Sequence, residues 1–382
     1  MAGGFAARQW PTLAERIGAL NWALLALVLV LGLVGYLVLY SAAGGAHGPW
    51  AWRHAARFVL AFLVMLAVAL VDIRLVYRLA YPAYAACLTA LMAVDAIGAF
   101  AKGAQRWLDL GIVRLQPSEL AKLALVLALA RFYHGLRPEE VRDVRHLAVP
   151  LGMIALPFLL VVAQPDLGTA LLLAAAGAAV VFLAGAPLWV FVLGAGGLAA
   201  AAPVVWSQLL PYQRQRLLTF LDPERDPLGT GYHVIQSKIA LGAGGFTGRG
   251  FLAGTQAQLD FLPEKHTDFA FAVLAEETGF VGALVLLAIY LALVGVALAV
   301  AVRAGSTFGR LVAAGIAVDL FLYVFVNVGM VTGLLPVVGV PLPFVSYGGT
   351  AMFAAMLGLG LVLAVDVQRH VPLPRYPSDA PL

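Results

Sequence analysis

The sequence predicts an all-α integral membrane protein: a bundle of about ten transmembrane helices with a long extracytoplasmic loop between spans 7 and 8. Three observations predict it. Of 382 residues, 62% are hydrophobic and 12% charged, whereas soluble domains run near half apolar and about a quarter charged. Apolar runs long enough for a hydrocarbon core recur along most of the chain. One stretch, Pro211 to Thr267, breaks the pattern, being too polar to span and too long for an ordinary connection.

The runs are Leu20–Tyr40, Ala55–Val71, Leu79–Phe100, Leu120–Phe132, Leu147–Ala163, Leu167–Leu210, Thr278–Val302, Leu311–Leu335 and Ser346–Val365. A helix from Leu167 to Leu210 would be about 66 Å long, against a core of about 30 Å. Gly185-Ala-Pro187 supplies a break and a helix-starting proline, so this run counts as two spans. The first run is too long for a signal-peptide core and is read as a retained span.

Basic residues set the orientation. With the N-terminus inside, the inner segments hold Arg8, Arg16, Arg74, Arg78, Arg131, Arg137, Arg142, Arg145, Arg303, Arg310, Arg369 and Arg375. The short outer loops hold only Arg53, Arg57, Lys102, Arg106 and Arg114. Both termini are therefore cytoplasmic, residues 1–382 form a single polytopic domain, and Gly135–His146 is an inner loop. The net charge of +4 is scattered rather than gathered into a stripe, which excludes nucleic acid as a partner. The single cysteine, Cys87, lies in an apolar run, and the histidines show no metal-binding spacing. The outer loop holds two amphipathic stretches, Tyr212–Leu221 and Tyr232–Leu241, which read as helices on the membrane face. Arg106 to Leu115 reads as a further interfacial segment.

This topology places polar groups at four outer junctions. They are Gln116-Pro-Ser-Glu119-Leu-Ala-Lys122, Gln164-Pro-Asp166-Leu-Gly-Thr169, Pro263 to Asp268, and a Pro/Gly-rich segment from Pro336 to Ser346 that could re-enter the bundle. An outward cavity is the economical inference. Glu119 and Lys122 share a helix face, either as an ion pair that fixes packing or as a cation for an anionic group. Asp166 reads equally as an N-cap. Asp268 is either a first-turn carboxylate after a Thr267 cap or a general base. Glu276 and Glu277 are expected in the same water-accessible outer portion. Ser346 reads as the N-cap of the last span, and Asp319 as a mid-span polar partner.

Several stretches together resemble the SEDS family of cell-wall polymerases, and the RodA branch more than the FtsW branch. They are Lys102-Gly-Ala-Gln-Arg-Trp-Leu-Asp-Leu-Gly, Gln116-Pro-Ser-Glu-Leu-Ala-Lys, Gln164-Pro-Asp-Leu-Gly-Thr-Ala, Gly254-Thr-Gln, Phe261-Leu-Pro-Glu-Lys-His-Thr-Asp-Phe and Gly333-Leu-Leu-Pro-Val-Val-Gly-Val-Pro-Leu-Pro-Phe-Val-Ser-Tyr-Gly-Gly. Ala270 and the charged Asp319 depart from the family's usual residues.

The resemblance implies a peptidoglycan glycosyltransferase of the bacterial cytoplasmic membrane, polymerising lipid II on the outer face beside a class B penicillin-binding protein. It puts the family's essential acid on Asp268 and the central-cavity polar residues on Glu119, Lys122 and Asp166. Inverting transfer to a sugar hydroxyl needs a base, here Asp268, and cations for the departing pyrophosphate. Lys122 is the first such cation, with Arg214, Arg216, Lys238, Arg249, Lys265 and His266 as options from the loop and Ser346 as a polar contact. A divalent ion, magnesium or manganese, could replace some of these, and no residue spacing decides it. The alternatives are a lipid II transporter or flippase, and a non-catalytic scaffold that activates the penicillin-binding partner.

Overall fold

The computed structural model describes residues 13–101, 104–109, 114–225, 229–262 and 264–374. Arg8, Lys102, Pro263 and Arg375 lie outside the described residues.

Among the described residues, eight helices are long and apolar enough to cross a membrane: Trp22–Ala42, Ala51–Ala69, Ile73–Val94, Val144–Ala163, Leu167–Ala184, Ala270–Arg303, Thr307–Thr332 and Gly349–Val367. Two further helices fall on predicted spans. Pro117–His134 carries Glu119, Lys122 and Arg131, and Leu188–Gln208 is apolar over Leu188–Val204. The break predicted at Gly185-Ala-Pro187 is present. Leu167–Ala184 ends on Gly185 with φ 107°, a left-handed cap that glycine takes without a Cβ clash.

Side chains tie neighbouring connections together at the end that the charge pattern places inside. Ile73 N donates to Gln368 Oε1 at 3.0 Å, and Gln368 Nε2 donates to Val71 O at 2.5 Å. Asn21 Nδ2 donates to Asp366 Oδ2 at 3.2 Å. These contacts fasten the last helix to the first connections of the chain.

The other end carries most of the extra-helical structure. The two amphipathic stretches form helices, Pro211–Leu221 and Thr230–Gly244, and a short helix follows at Thr255–Gln258. Thr230–Gly244 leans on the bundle, with Ser237 Oγ donating to Val331 O at 2.8 Å. The segment read as merely interfacial is a small antiparallel sheet: β1 (Ala99–Ala101), β2 (Ala104–Asp109) and β3 (Arg114–Leu115).

Two expectations are corrected in the helix that follows Asp268. It starts at Ala270, with Phe269 at the N-cap position and no side-chain cap bond. Thr267 turns back instead, its Oγ1 donating to Glu264 Oε2 at 2.7 Å. The helix also breaks at Gly279, with φ 69° and ψ −166°. There Phe280 N donates to Gly245 O at 2.9 Å and Val281 N to Phe246 O at 3.1 Å, so the loop replaces the missing helical partners.

Glu276 and Glu277 are consequently buried, at 0% and 4% exposure, rather than water-accessible. Glu276 Oε1 accepts from Thr255 Oγ1 at 3.1 Å and Gln256 N at 2.9 Å. Glu277 Oε1 accepts from Leu252 N at 3.2 Å and from Ser41 Oγ on the first span. The loop folds back over both carboxylates and pins itself to two helices.

The Pro/Gly-rich connection after Thr332 turns into the bundle. Val340, Leu342, Phe344 and Val345 are buried, and Phe344 takes φ 68°. Its exposed-backbone problem is solved by side chains. His54 Nε2 lies 3.0 Å from Phe344 O, Tyr290 OH donates to Pro343 O, and Asn327 Nδ2 donates to Val340 O at 2.7 Å. Ser346 is not the N-cap of the last helix, because that position is Gly348. Its Oγ accepts from Leu342 N at 2.9 Å and closes the turn within the loop.

Candidate functional site

Helix Pro117–His134 enters the bundle behind Pro117, which fixes its first turn and sends Glu119 and Lys122 inward. Both are buried, Lys122 at 1% exposure. Lys122 Nζ stands 3.3 Å from each Glu119 oxygen and 3.9 Å above the ring of Tyr323. Tyr323 OH donates to Glu119 Oε2. The ammonium is therefore held between a carboxylate and an aromatic face, a placement that offsets its desolvation.

Asp166 caps helix Leu167–Ala184 by accepting from Thr169 N at 3.4 Å. It also accepts from Gln116 Nε2 at 3.1 Å and lies 3.8 Å from the Arg106 guanidinium. Arg106 Nε donates to Gln164 O at 3.1 Å, and its NH2 donates to Pro165 O. Asp166 thus locks β2 onto the junction between two spans.

Asp268 is half-buried at the foot of the outer loop. Asn327 Nδ2 donates to its backbone carbonyl at 3.0 Å. A methyl group on Gly339 would stand 3.6 Å from Asp268 Oδ2, which places the carboxylate against the re-entrant loop. Tyr323 and Asn327 are one turn apart on helix Thr307–Thr332, so one helix face serves both the Glu119–Lys122 pair and Asp268. Gly168 packs its Cα on Val338, where a Cβ would meet the Val338 side chain at 2.8 Å. The Asp166 junction and the re-entrant loop are thereby neighbours.

His266 stacks on Trp50 with ring centroids 4.4 Å apart and 8° between planes. Its carbonyl accepts from Tyr347 N at 2.8 Å, and Arg57 lies 4.8 Å over the Tyr347 ring. Cation and aromatic side chains from three segments therefore meet beside Asp268.

A family model described as cell cycle protein, covering FtsW, RodA and SpoVE, matches residues 18–371. The chain belongs to this family. The peptidoglycan glycosyltransferase MrdB of Escherichia coli K12 is 49% identical over 348 residues, covering 90% of this chain and 93% of that protein. A probable peptidoglycan glycosyltransferase FtsW of Trichlorobacter lovleyi is 37% identical over 362 residues, with 92% and 94% covered. Among solved structures, a chain of a peptidoglycan synthase complex that coordinates polymerization and crosslinking superposes with TM-score 0.80 at 39% identity, covering 92% of this chain and 98% of that one. The rod shape-determining protein RodA of Thermus thermophilus superposes with TM-score 0.70 at 31% identity, again covering 92% and 98%.

Within this family member, Lys265, Arg249 and Arg214 are engaged by backbone carbonyls. Lys265 Nζ donates to Ala257 O and to Asp260 Oδ1, both at 2.6 Å, so it staples the loop to itself. Lys238 lays its chain against Gly333. Arg249 Nε donates to Ala243 O at 3.1 Å and is exposed. Arg214 donates to Ser207 O at 2.5 Å. Lys122 meets the Asp268 region through helix Thr307–Thr332, whose Tyr323 faces Lys122 and whose Asn327 holds the Asp268 carbonyl. Among the described residues, no group of three or more His, Cys, Asp or Glu side chains is arranged to hold a metal.

Sequence reasoning missed Asn327, Tyr323 and Trp50. Asn327 is a neutral residue in an apolar run and leaves no trace in hydropathy or charge. Arg57, inside the second apolar run, did leave a signal as a cation intruding near the outer end of a span.

Proposed function

We propose that this protein is a peptidoglycan glycosyltransferase that polymerises lipid II at the outer face of the cytoplasmic membrane, beside a class B penicillin-binding protein. The observation that carries the mechanism is Asp268, a carboxylate aimed at the re-entrant loop and clamped through its backbone by Asn327. Asp268 takes the proton of the sugar 4-hydroxyl as that oxygen attacks the anomeric carbon of the second lipid II. The bond to the undecaprenyl pyrophosphate breaks on the opposite face, so the anomeric centre inverts. Lys122 and the His266–Arg57 region supply positive charge for the departing pyrophosphate. Glu119 and Tyr323 hold the Lys122 ammonium in place. A magnesium or manganese ion would enter with most of its ligands from pyrophosphate oxygens and water, as such ions usually do at phosphate sites.

The test is glycan-strand formation from lipid II by the purified protein with its partner, with and without divalent metal. Asp268→Ala should abolish polymer with an unfolding midpoint close to the parent's, whereas Lys122→Ala should cut the rate sharply and also lower the midpoint, because it leaves buried Glu119 without its cation. Normal polymerisation by Asp268→Ala would remove the proposed base. Headgroup translocation across vesicles with no polymer formed would replace the enzyme with a transporter.

A further inference from the structure

Against Pro343 of the re-entrant loop, helices Pro117–His134, Thr307–Thr332 and Gly349–Val367 border a small pocket of about 20 Å³, room for about one water-sized ligand. Its polar lining is Glu119, Asp319 and Tyr323, and the facing helix offers only apolar atoms, among them Ala351, Ala354 and Gly358. Asp319 and Tyr323 stand one turn apart on the same helix face. Asp319 Oδ1 is shut off from solvent and has no hydrogen-bond donor.

The donors that could have served it are already engaged. Lys122 Nζ is placed on both Glu119 oxygens and over the Tyr323 ring, and Tyr323 OH donates to Glu119. With both carboxyls ionised, two carboxylates and one ammonium leave one negative charge in a pocket among spanning helices. Such a charge is costly unless a counter-charge sits beside it. Oxygen atoms of carboxylates and a phenol are hard ligands, suited to a hard cation that keeps part of its water shell. One unit of missing positive charge calls for a monovalent ion rather than a divalent one.

We propose that this pocket binds one monovalent cation of sodium's class, held by Asp319 with Glu119 and Tyr323 oxygens and water. The site shares Glu119 with the Lys122 ion pair at the outer junction. Bound there, the ion balances Asp319 and fixes the Glu119–Lys122 pair beneath Pro343.

The experiment uses the full chain in detergent, with radiolabelled sodium and with thermal unfolding at constant ionic strength and pH, choline replacing sodium. The parent should show saturable, near-stoichiometric sodium binding. Its unfolding midpoint should rise by about 2 °C or more as sodium replaces choline, as mass action requires of a ligand for the folded state. Asp319→Asn removes the unbalanced charge, so it should fold with a midpoint in choline at or above the parent's. It should bind no sodium and show no sodium-dependent shift. Absence of saturable sodium binding by the parent overturns the proposal. So does an equal sodium shift in Asp319→Asn, or a parent midpoint that follows pH alone. If Asp319→Asn fails to accumulate, the binding isotherm of the parent still decides the matter.

Discussion

Asn327 spans the gap between Asp268 and the re-entrant loop: its single amide nitrogen donates to Asp268 O at 3.0 Å and to Val340 O at 2.7 Å. Asn327 is fully buried at 0% exposure, so both carbonyls depend on it. Replacement by leucine keeps the volume and removes the donor. Asn327→Leu should lower the polymerisation rate by about a hundredfold, since a shift of about 1 Å in a reacting group can cost that much. Stability should fall by about 1–3 kcal/mol for the orphaned carbonyls. Rate and unfolding midpoint measured on the same preparation check both, and an unchanged rate would detach Asn327 from the site.

Gly279 makes a second point of leverage. With φ 69° and ψ −166° it occupies a region that is essentially closed to side chains. A Cβ there would also overlap Gly248 N and approach Phe246 O at 2.6 Å. Gly279→Ala should destabilise the protein by about 1–3 kcal/mol or more and free the segment folded over Glu276 and Glu277. Limited proteolysis should then cut between residues 245 and 256 faster than in the parent, and equal protection would refute the clamp.

His233, on helix Thr230–Gly244, stacks 5.9 Å from the Phe269 ring. Burial lowers its pKa below the ordinary 6.5, and the charge of Glu264 opposes part of that shift. The neutral ring is thus favoured in the folded state, and the unfolded chain takes up the proton first as pH falls. Its contribution to stability is intact above 6.5, declines as pH drops from there towards the lowered folded value, and is level below it. His233→Phe keeps a ring against Phe269 and should flatten that part of the midpoint-versus-pH curve. Superimposable curves for parent and variant would contradict this.

Arg106 serves three acceptors at the Asp166 junction. The ion pair is 3.8 Å long with the Arg106 side chain 29% exposed, so its coupling should be small. The bonds to Gln164 O and Pro165 O carry more. Arg106→Ala should therefore cost about 2 kcal/mol, while the Arg106–Asp166 coupling from a double-mutant cycle stays under about 1 kcal/mol. A coupling larger than the single-variant loss would reverse that ranking.

The membrane helices were legible because hydropathy over a long run needs no knowledge of neighbours. The break at Gly185 was legible for the same reason, being a local matter of Gly and Pro. The outer junctions could be located from topology alone, and Glu119, Lys122, Asp166 and Asp268 fall there. The burial of Glu276 and Glu277 was hidden because it depends on a glycine kink and a loop that returns to it. Ser346 was misread as a cap because its turn closes four residues back on Leu342, a tertiary choice. The β1–β3 sheet was missed because its strands are too short to show a period.

The plug made by Pro343 and Phe344 has an electrical meaning. An enzyme working on charged headgroups in an energised membrane risks becoming a leak, since a water file through the bundle would short-circuit the ion gradients. Tyr290 and His54 hold the carbonyls of Pro343 and Phe344, and the Phe344 side chain is fully buried. A loop that presents one side to Asp268 and packs the other into the bundle is placed to limit such a leak.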